Sequence, residues 1–366
     1  MRAALLHDFG DLRVEDIPDP EYGPRDVLID VRCVQVGVTE CMLINGDDVA
    51  MHDQLAQRLK VAPVQFGGHE FAGVISAVGS EVTHLQVGQR VTAVETLPCG
   101  RCSACARGRT AGCIAPDIIA FNRPGALAER ISVPASAVVR IPDSVSFSAA
   151  AAVQPLAGAV HAHATLAVQP GESVLVLGGG VMGLLGAAVA RHGNAGLIML
   201  SSHSAAKREL GLRFGADQVI DADDDVLAAA LEATDGVGFD VVLETAGGSA
   251  SVGLSGTETI ELAVRAVRRV GRIAVVSVLP AHSALPTGLM RERSLTLVHP
   301  RSGAGYYAQT TSVFEHSLGL IGRGSVDVEA LVTHRLDGLD EVGKAIEITS
   351  DKNRFGAINP AQLVLG

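Results

Sequence analysis

Four cysteines fall close together in CGRCSACARGRTAGC: Cys99, Cys102, Cys105 and Cys113, spaced C-x2-C-x2-C-x7-C. Four thiolates at such spacing can close a tetrahedron around Zn2+, and a complete sulfur shell leaves no open position for a substrate. The lobe at 95–115 is therefore expected to hold one structural zinc per chain. An iron–sulfur cluster is the other metal group such a set can take, and four free thiols is the reading without a metal. Upstream, GGHEFAG (67–73) offers His69 beside Glu70, a pair suited to metal ligation or to proton transfer. VQVGVTECMLING (34–46) offers Thr39, Glu40 and Cys41, with no histidine or second cysteine next to them.

A third cluster is made of glycine. GGGVMG places Gly178, Gly180 and Gly183 in a G-x-G-x-x-G arrangement, directly after the apolar run ESVLVLG and before VMGLLGAAVARHG. Strand, glycine turn and helix in that order form a dinucleotide-binding fingerprint. Gly178 permits the turn, Gly180 lets pyrophosphate approach the backbone, and Gly183 lets helix and strand pack closely. The helix start at Val181 and Met182 then faces the phosphates. A glycine turn without a ligand is the plainer reading of the same residues. An NAD site should end its second strand on an acid that binds the ribose. Here LSSHSAAKRE puts Ser202 at that position, with Lys207 and Arg208 following. No carboxylate repels a 2′-phosphate and two cations can pair with it, so the sign of charge favours NADP(H). Alternatively Lys207 and Arg208 only solvate the next helix.

Two kinds of chain must position these groups. The first 150 residues carry short β-like runs (VLIDVRCV, GVISAVG, RVTAVET, AERISV) broken by Gly, Pro and Asp, and little helix is expected there. From about 170, apolar strands alternate with helical segments: ESVLVLG, GLIMLSS, DQVID, FDVVLETAG and GRIAVVSV. That rhythm predicts a doubly wound parallel sheet. The tail from about 302 reads as two helical runs around a strand, LVTHRL (331–336), packing back on the first part. The chain has 366 residues, 48% of them hydrophobic, which is long for a single core. Its net charge of −11 disfavours nucleic acid and anionic membrane as partners. The N-terminus has no signal-peptide pattern. The longest apolar tract (149–168) is broken by Gln154, Pro155, His161 and His163 and reads as a buried helix rather than a membrane span. A cytoplasmic protein is expected, in which clustered cysteines mean metal rather than disulfides.

Taken together, GGHEFAGVISAVG, the cysteine lobe, the glycine motif and LVTHRLDGLDEVGKAIE resemble the medium-chain dehydrogenase/reductase family, in its zinc-containing alcohol, threonine and polyol dehydrogenase branch. The resemblance implies an α/β fold. A GroES-like β-rich catalytic domain (1–153 and 302–366) is split around a Rossmann NADP(H)-binding domain (154–301). It also implies a homodimer or homotetramer acting on a small-molecule substrate. The family's first motif usually reads like G-I-C-G-T-D-x-H-x-x-x-G. Anchored at Gly46, its zinc-ligand cysteine falls on Gly37, its Ser/Thr on Thr39, its Asp on Glu40 and its relay histidine on Met42. His69 matches the second zinc ligand, Glu70 its usual neighbour, and the third ligand falls on Gln154.

A thiolate and a carboxylate have thus become a hydrogen atom and a neutral amide, and one histidine does not hold zinc usefully. Cys41 lies four residues past Gly37 and reads as a buried core thiol. The expectation is an NADPH-dependent oxidoreductase with one structural zinc and no catalytic zinc. Without a Lewis acid, hydride transfer favours an already electron-poor C=C or C=N, with C=O as a further acceptor. Thr39 is the leading proton donor, with Glu70 and Glu40 secondary and His69 a hydrogen-bonding residue of the cleft. Two alternatives stand beside it: an alcohol or polyol dehydrogenase with an unusual metal shell, and a non-catalytic NADPH-binding protein. Residues 47–66 form either part of a substrate lid or a surface excursion.

Overall fold

The computed structural model describes residues 1–247, 257–279, 283–300 and 312–366. The chain divides into two units, one made of Met1–Gln154 with Phe314–Gly366, the other beginning at Pro155. The expected join at 301/302 lies outside the described residues.

The first unit is built on a seven-stranded sheet. Its path runs Val138–Arg140, Arg90–Ala93, Glu70–Val78, Asp26–Gln35, Gln362–Val364 and Arg335–Asp337, and Arg130–Pro134 also pairs with Asp26–Gln35. In Asp26–Gln35 burial alternates with period two, so Val27, Ile29 and Val31 face the core while Leu28, Asp30 and Arg32 are only half-buried. At its end the alternation stops and Cys33, Val34 and Gln35 are all buried. Here the sheet is antiparallel on both sides. Gln35 stands opposite Glu70 on one neighbour and opposite Gln362 on the other. Residues directly opposite each other share a face, so three polar side chains form one row across three strands.

Four helices interrupt the β-rich stretch 1–154 among the described residues: Val38–Ile44, His52–Leu59, and the shorter Ser103–Ala106 and Phe147–Ala151. The tail brings a helix at Val313–Gly322 and another at Val342–Ser350. The strand expected over LVTHRL is narrower, covering only Arg335–Asp337, because Glu329–Leu331 coil into a 3-10 turn just before it. The expected RVTAVET strand is likewise split into Arg90–Ala93 and Thr96–Leu97.

The second unit carries six parallel strands in the order Gln218–Ile220, Leu197–Ser201, Ser173–Leu177, Phe239–Glu244, Val267–Val275, Thr296–Val298. Written in sequence order this is 3-2-1-4-5-6, the doubly wound arrangement. Val174, Leu175, Val176 and Leu177 are at most 1% exposed, as expected for a strand covered on both faces. Each such side chain contributes roughly 1.5–3 kcal/mol of burial. The helix Val181–His192 follows and ends at Gly193. Among the described residues no helix is long and apolar enough to cross a membrane.

Candidate functional site

The glycine crest has the geometry that its spacing predicts. Gly178 sits at φ +109°, and a Cβ there would fall 2.8 Å from the backbone nitrogen of Ala246. A Cβ on Gly183 would lie 1.8 Å from the Gly178 carbonyl oxygen, so helix and strand are in direct backbone contact. Gly180 is different: nothing lies within 4 Å of its missing Cβ. The open glycine caps the start of the twelve-residue helix, at Val181 and Met182, whose unpaired N–H groups suit a pyrophosphate. The residues therefore fit a dinucleotide.

Ser202 lies beside this loop. A Cβ on Gly179 would approach the Ser202 hydroxyl to 2.6 Å and the Lys207 Cβ to 3.2 Å. Ser204 caps the helix Ala205–Arg213, accepting from the Lys207 N–H at 3.4 Å. Arg208 turns back over the strand end, donating to the Ser202 carbonyl at 2.6 Å and pairing with Asp221 at 2.8 Å. Arg208 is thus already neutralised by a carboxylate. His203 pairs with Asp223 at 2.9 Å next to it.

In the lobe, the four sulfurs of Cys99, Cys102, Cys105 and Cys113 all lie within 4.8 Å of one another. A zinc with four sulfurs at about 2.3 Å needs edges of about 3.8 Å, which this set reaches with small adjustments. Backbone N–H groups point at the sulfurs: Cys99 donates to Cys113 at 3.2 Å and Cys105 to Cys102 at 3.5 Å. N–H donation from Cys105 and Ile114 brings the Cys102 thiol down to about 6, favouring the thiolate a metal requires. The donor set fits a closed zinc site.

The remaining candidates meet in the first unit. Gly37 precedes the helix Val38–Ile44, and Glu40, fully buried, folds back so that its Oε2 accepts the Gly37 N–H at 2.9 Å. Its other oxygen accepts the His69 backbone N–H at 2.9 Å and the His69 Nδ1–H at 2.6 Å. Since an ionised carboxylate only accepts, Nδ1 carries the proton of that bond. The His69 Nε2 points toward Glu70, whose Oε1 is 3.5 Å away, and makes no hydrogen bond among the described residues. Glu70 receives a bond from the Gln35 amide across the strand pair. Burial disfavours a charged His69, but Glu40, then Glu70 and Glu95, outweigh it and hold the imidazolium up at about 9. Burial pushes the Glu70 carboxyl up to about 7, with His69 and the Gln35 bond acting against it. Burial also opposes the Glu40 charge, but His69 and the backbone N–H bonds prevail and lower it.

The His69 ring occupies the space beside Gly37. A Cβ on Gly37 would fall 2.6 Å from the ring carbon Cε1 and 3.3 Å from Nδ1. Thr39 is half-buried next to the exposed Val38, and its hydroxyl makes no hydrogen bond among the described residues. Cys41 is 1% exposed and turns the other way, toward Thr349 and Ser350 of the helix Val342–Ser350; burial pushes its thiol up to about 12. It does not join His69.

Several residues of this region escaped the sequence reading. The Gln35 side-chain oxygen Oε1 accepts from Asn359 at 2.7 Å and from Gln362 at 3.1 Å. Gln362 in turn binds the hydroxyl of Ser148 at 2.7 Å, which accepts from Arg335 at 2.9 Å. A buried polar chain thus runs from Glu70 through Gln35, Gln362 and Ser148 to Arg335. The one local signal was Gln35, a polar residue ending a strand where burial is continuous. In the second unit Glu244, fully buried, accepts from Ala246 and Gly247 and from the Ser277 hydroxyl, fixing the crest beside Gly178. The 47–66 segment is anchored, with Leu55 2% exposed, His52 stacked on Phe9 at 4.7 Å, and Arg58 bonded to the Phe121 carbonyl.

Comparison with known proteins agrees with this architecture. The Alcohol dehydrogenase GroES-like domain matches residues 23–143, and the Zinc-binding dehydrogenase family matches residues 181–318. An L-threonine 3-dehydrogenase of Rhizobium johnstonii is 31% identical over 93% of each chain. A sorbitol dehydrogenase of Bacillus subtilis is 30% identical over 95% of this chain and 93% of its own. Among solved structures, an alcohol dehydrogenase from Thermus sp. ATN1 superposes with a TM-score of 0.84 at 26% identity, covering 100% of both chains. A structure from Sinorhizobium meliloti 1021, named as a zinc-binding dehydrogenase and bound to NADP, gives 0.82 at 27% identity, covering 100% of this chain and 98% of its own. On these grounds the chain belongs to the medium-chain dehydrogenase/reductase family, an NAD(P)-dependent oxidoreductase with a GroES-like and a Rossmann-type domain.

Proposed function

We propose that this chain is an NADP(H)-dependent reductase that works without a catalytic zinc, on a small molecule bearing an activated C=C or C=N, with C=O as a lesser acceptor. One observation carries the reading. The ring of His69 fills the space into which a side chain at position 37 would project, and its Nδ1 is committed to Glu40. Among the described residues, groups of three ligand atoms within 4.8 Å occur at the cysteine lobe and at exposed His203, Asp221 and Asp223, and neither includes His69. Glu40 and His69 form a hydrogen-bonded ion pair with Glu70 3.5 Å from Nε2, an arrangement that supports a site working without a metal. Glycine at position 37 offers no donor atom, and Gln154 offers only an amide.

When bound, the dinucleotide supplies hydride. The glycine crest holds its pyrophosphate, and Ser202 with Lys207 receives the 2′-phosphate. Arg208 contributes less, because Asp221 already pairs with it. With no cation to polarise a simple ketone, an acceptor polarised by conjugation or positive charge is favoured. The proton comes from the cluster of Thr39, Glu40, His69 and Glu70. The four cysteines hold the single zinc and stabilise the lobe. We place the protein in the cytoplasm as a homodimer or homotetramer, following the family.

The test is a metal count per chain together with a screen of NADPH oxidation on enones, imines, ketones and sugars. One zinc per chain, with turnover surviving brief chelation, is expected. A zinc-type dehydrogenase is the second reading, favoured by the names of the threonine and sorbitol relatives. It predicts two zincs, loss of turnover on chelation without unfolding, and better activity with simple alcohols.

A further inference from the structure

We infer that His69, gripped by Glu40 at Nδ1 and facing Glu70 at Nε2, is the acid of this reaction, and that its Nε2–H donates to the substrate atom that becomes negative on hydride delivery. The inference rests on the zinc-free reading and deepens it: a protonated side chain supplies the positive charge that a metal ion would otherwise bring.

Three features of geometry support it. First, Glu40 binds His69 twice, the ring through the Nδ1–H at 2.6 Å and the main chain through the backbone N–H at 2.9 Å. Both ring orientation and the site of one proton are thereby fixed. Second, Nε2 faces only the Glu70 Oε1, at the long distance of 3.5 Å, in a side chain that is 10% exposed. So long a contact leaves the Nε2–H able to turn to a closer acceptor, such as a substrate atom. Third, Gly37 is what admits the ring, since any Cβ there would stand 2.6 Å from Cε1. The substitution that deletes the thiolate also makes the room that the imidazolium uses.

Thr39 is a weaker source of the proton. Its hydroxyl is bonded to nothing among the described residues, so no group feeds it a proton. It serves better as a hydroxyl that positions the substrate atom. Three carboxylates act on His69, from three different parts of the chain: Glu40 on the helix Val38–Ile44, Glu70 on the strand Glu70–Val78, and Glu95 between two short strands. The Phe121 ring packs beside it at 5.4 Å. These three charges are negative, and each favours the protonated ring.

The step balances as follows. Hydride brings two electrons to the carbon of C=X and forms the C–H bond. The π pair moves to X, the N–H bond of Nε2 breaks, and X–H forms. His69 is left neutral with its remaining proton on Nδ1 against Glu40. Glu70, 3.5 Å from Nε2, is placed to return a proton.

The test reads nitrogen protonation directly, with and without NADP+. In protein labelled with 15N-histidine, His69 should show both ring nitrogens protonated at pH 7.5, with loss of the Nε2 proton only near pH 9. Glu40→Gln should lower that midpoint by more than two pH units. His69→Gln should cut kcat by about 10²- to 10⁴-fold with NADPH affinity unchanged, and should remove the alkaline limb of the rate profile that Thr39→Val retains. A single protonated ring nitrogen at pH 7.5 in wild type overturns the inference without recourse to any variant. So does a His69→Gln enzyme within threefold of wild type. Two zincs per chain with chelator-sensitive turnover would instead overturn the zinc-free reading on which it stands.

Discussion

The Glu40–His69 pair makes a stability prediction with a definite pH window. The folded protein holds His69 at about 9, against an ordinary value of 6.5. A group whose folded value is raised contributes stability that is full below its unfolded value and is lost as pH rises through the folded one. Between about 6.5 and 9 the folded state binds one proton more than the unfolded state, so stability should fall by about 1.4 kcal/mol per pH unit. Glu70 acts in the same direction but earlier. Its carboxyl moves from 4.5 to about 7, so its contribution is largely lost by pH 7. Cys102, brought down to about 6, and Cys41, pushed up to about 12, also alter stability between pH 7 and 10, so His69 is read from the difference between wild type and Glu40→Gln. Glu40→Gln leaves burial opposed only by the weaker effects of Glu70 and Glu95, and His69 should then be neutral through most of that range. The stability difference between wild type and Glu40→Gln should shrink by about 2–3 kcal/mol from pH 7 to pH 10. A residual difference should remain at pH 10, because one amide cannot accept all the N–H groups that the carboxylate binds. The assay is urea unfolding at each pH, following the transition of the unit that contains the pair. A difference that stays constant across the range would refute the charged pair, whatever the variant costs at any single pH.

The other predictions concern separate parts of the chain. Gly37→Ala places a methyl group 2.6 Å from the His69 ring and should destabilise by about 1–3 kcal/mol in the same urea assay. Ser202→Asp should lower NADPH affinity roughly ten- to a hundredfold and spare NADH, measured by fluorescence titration of both; the same preference in variant and wild type would show that the phosphate is not bound there. Cys102→Ser should cost the single zinc in elemental analysis and lower the melting temperature, with no selective loss of kcat in the folded fraction. Thr39→Val should lower kcat while NADPH binding is kept, and unchanged turnover would remove Thr39 from the reaction.

Much of this was legible in the sequence, for local reasons. The glycine crest and its flanking strand and helix lie within twenty residues, and the cysteine lobe within fifteen. Each is decided by neighbours along the chain. The site around His69 is decided across it. Glu40 reads as a minor acid–base candidate because nothing near residue 40 shows that its carboxylate will close on residue 69. That contact follows from the turn at Gly37 and the pairing of Asp26–Gln35 with Glu70–Val78. Arg208 reads as a free cation for the same reason, since Asp221 arrives from the next strand end. The strand Gln362–Val364 was missed because three residues after a proline carry no periodicity of their own.

That short strand bears on how the protein is made. Gln35 and Glu70 are synthesised early, yet Gln35 is completed by Asn359 and Gln362, more than three hundred residues later. On the ribosome, everything needed to bind a dinucleotide has emerged long before this polar row can close. A nascent chain halted anywhere between the glycine crest and residue 362 would carry Gln35 beside Glu70 with an acceptor still open to water. Contacts this distant in sequence are slow to form. Cofactor capture and catalytic competence should therefore appear at different times during translation, the first with the nucleotide-binding half and the second only when the late strand docks.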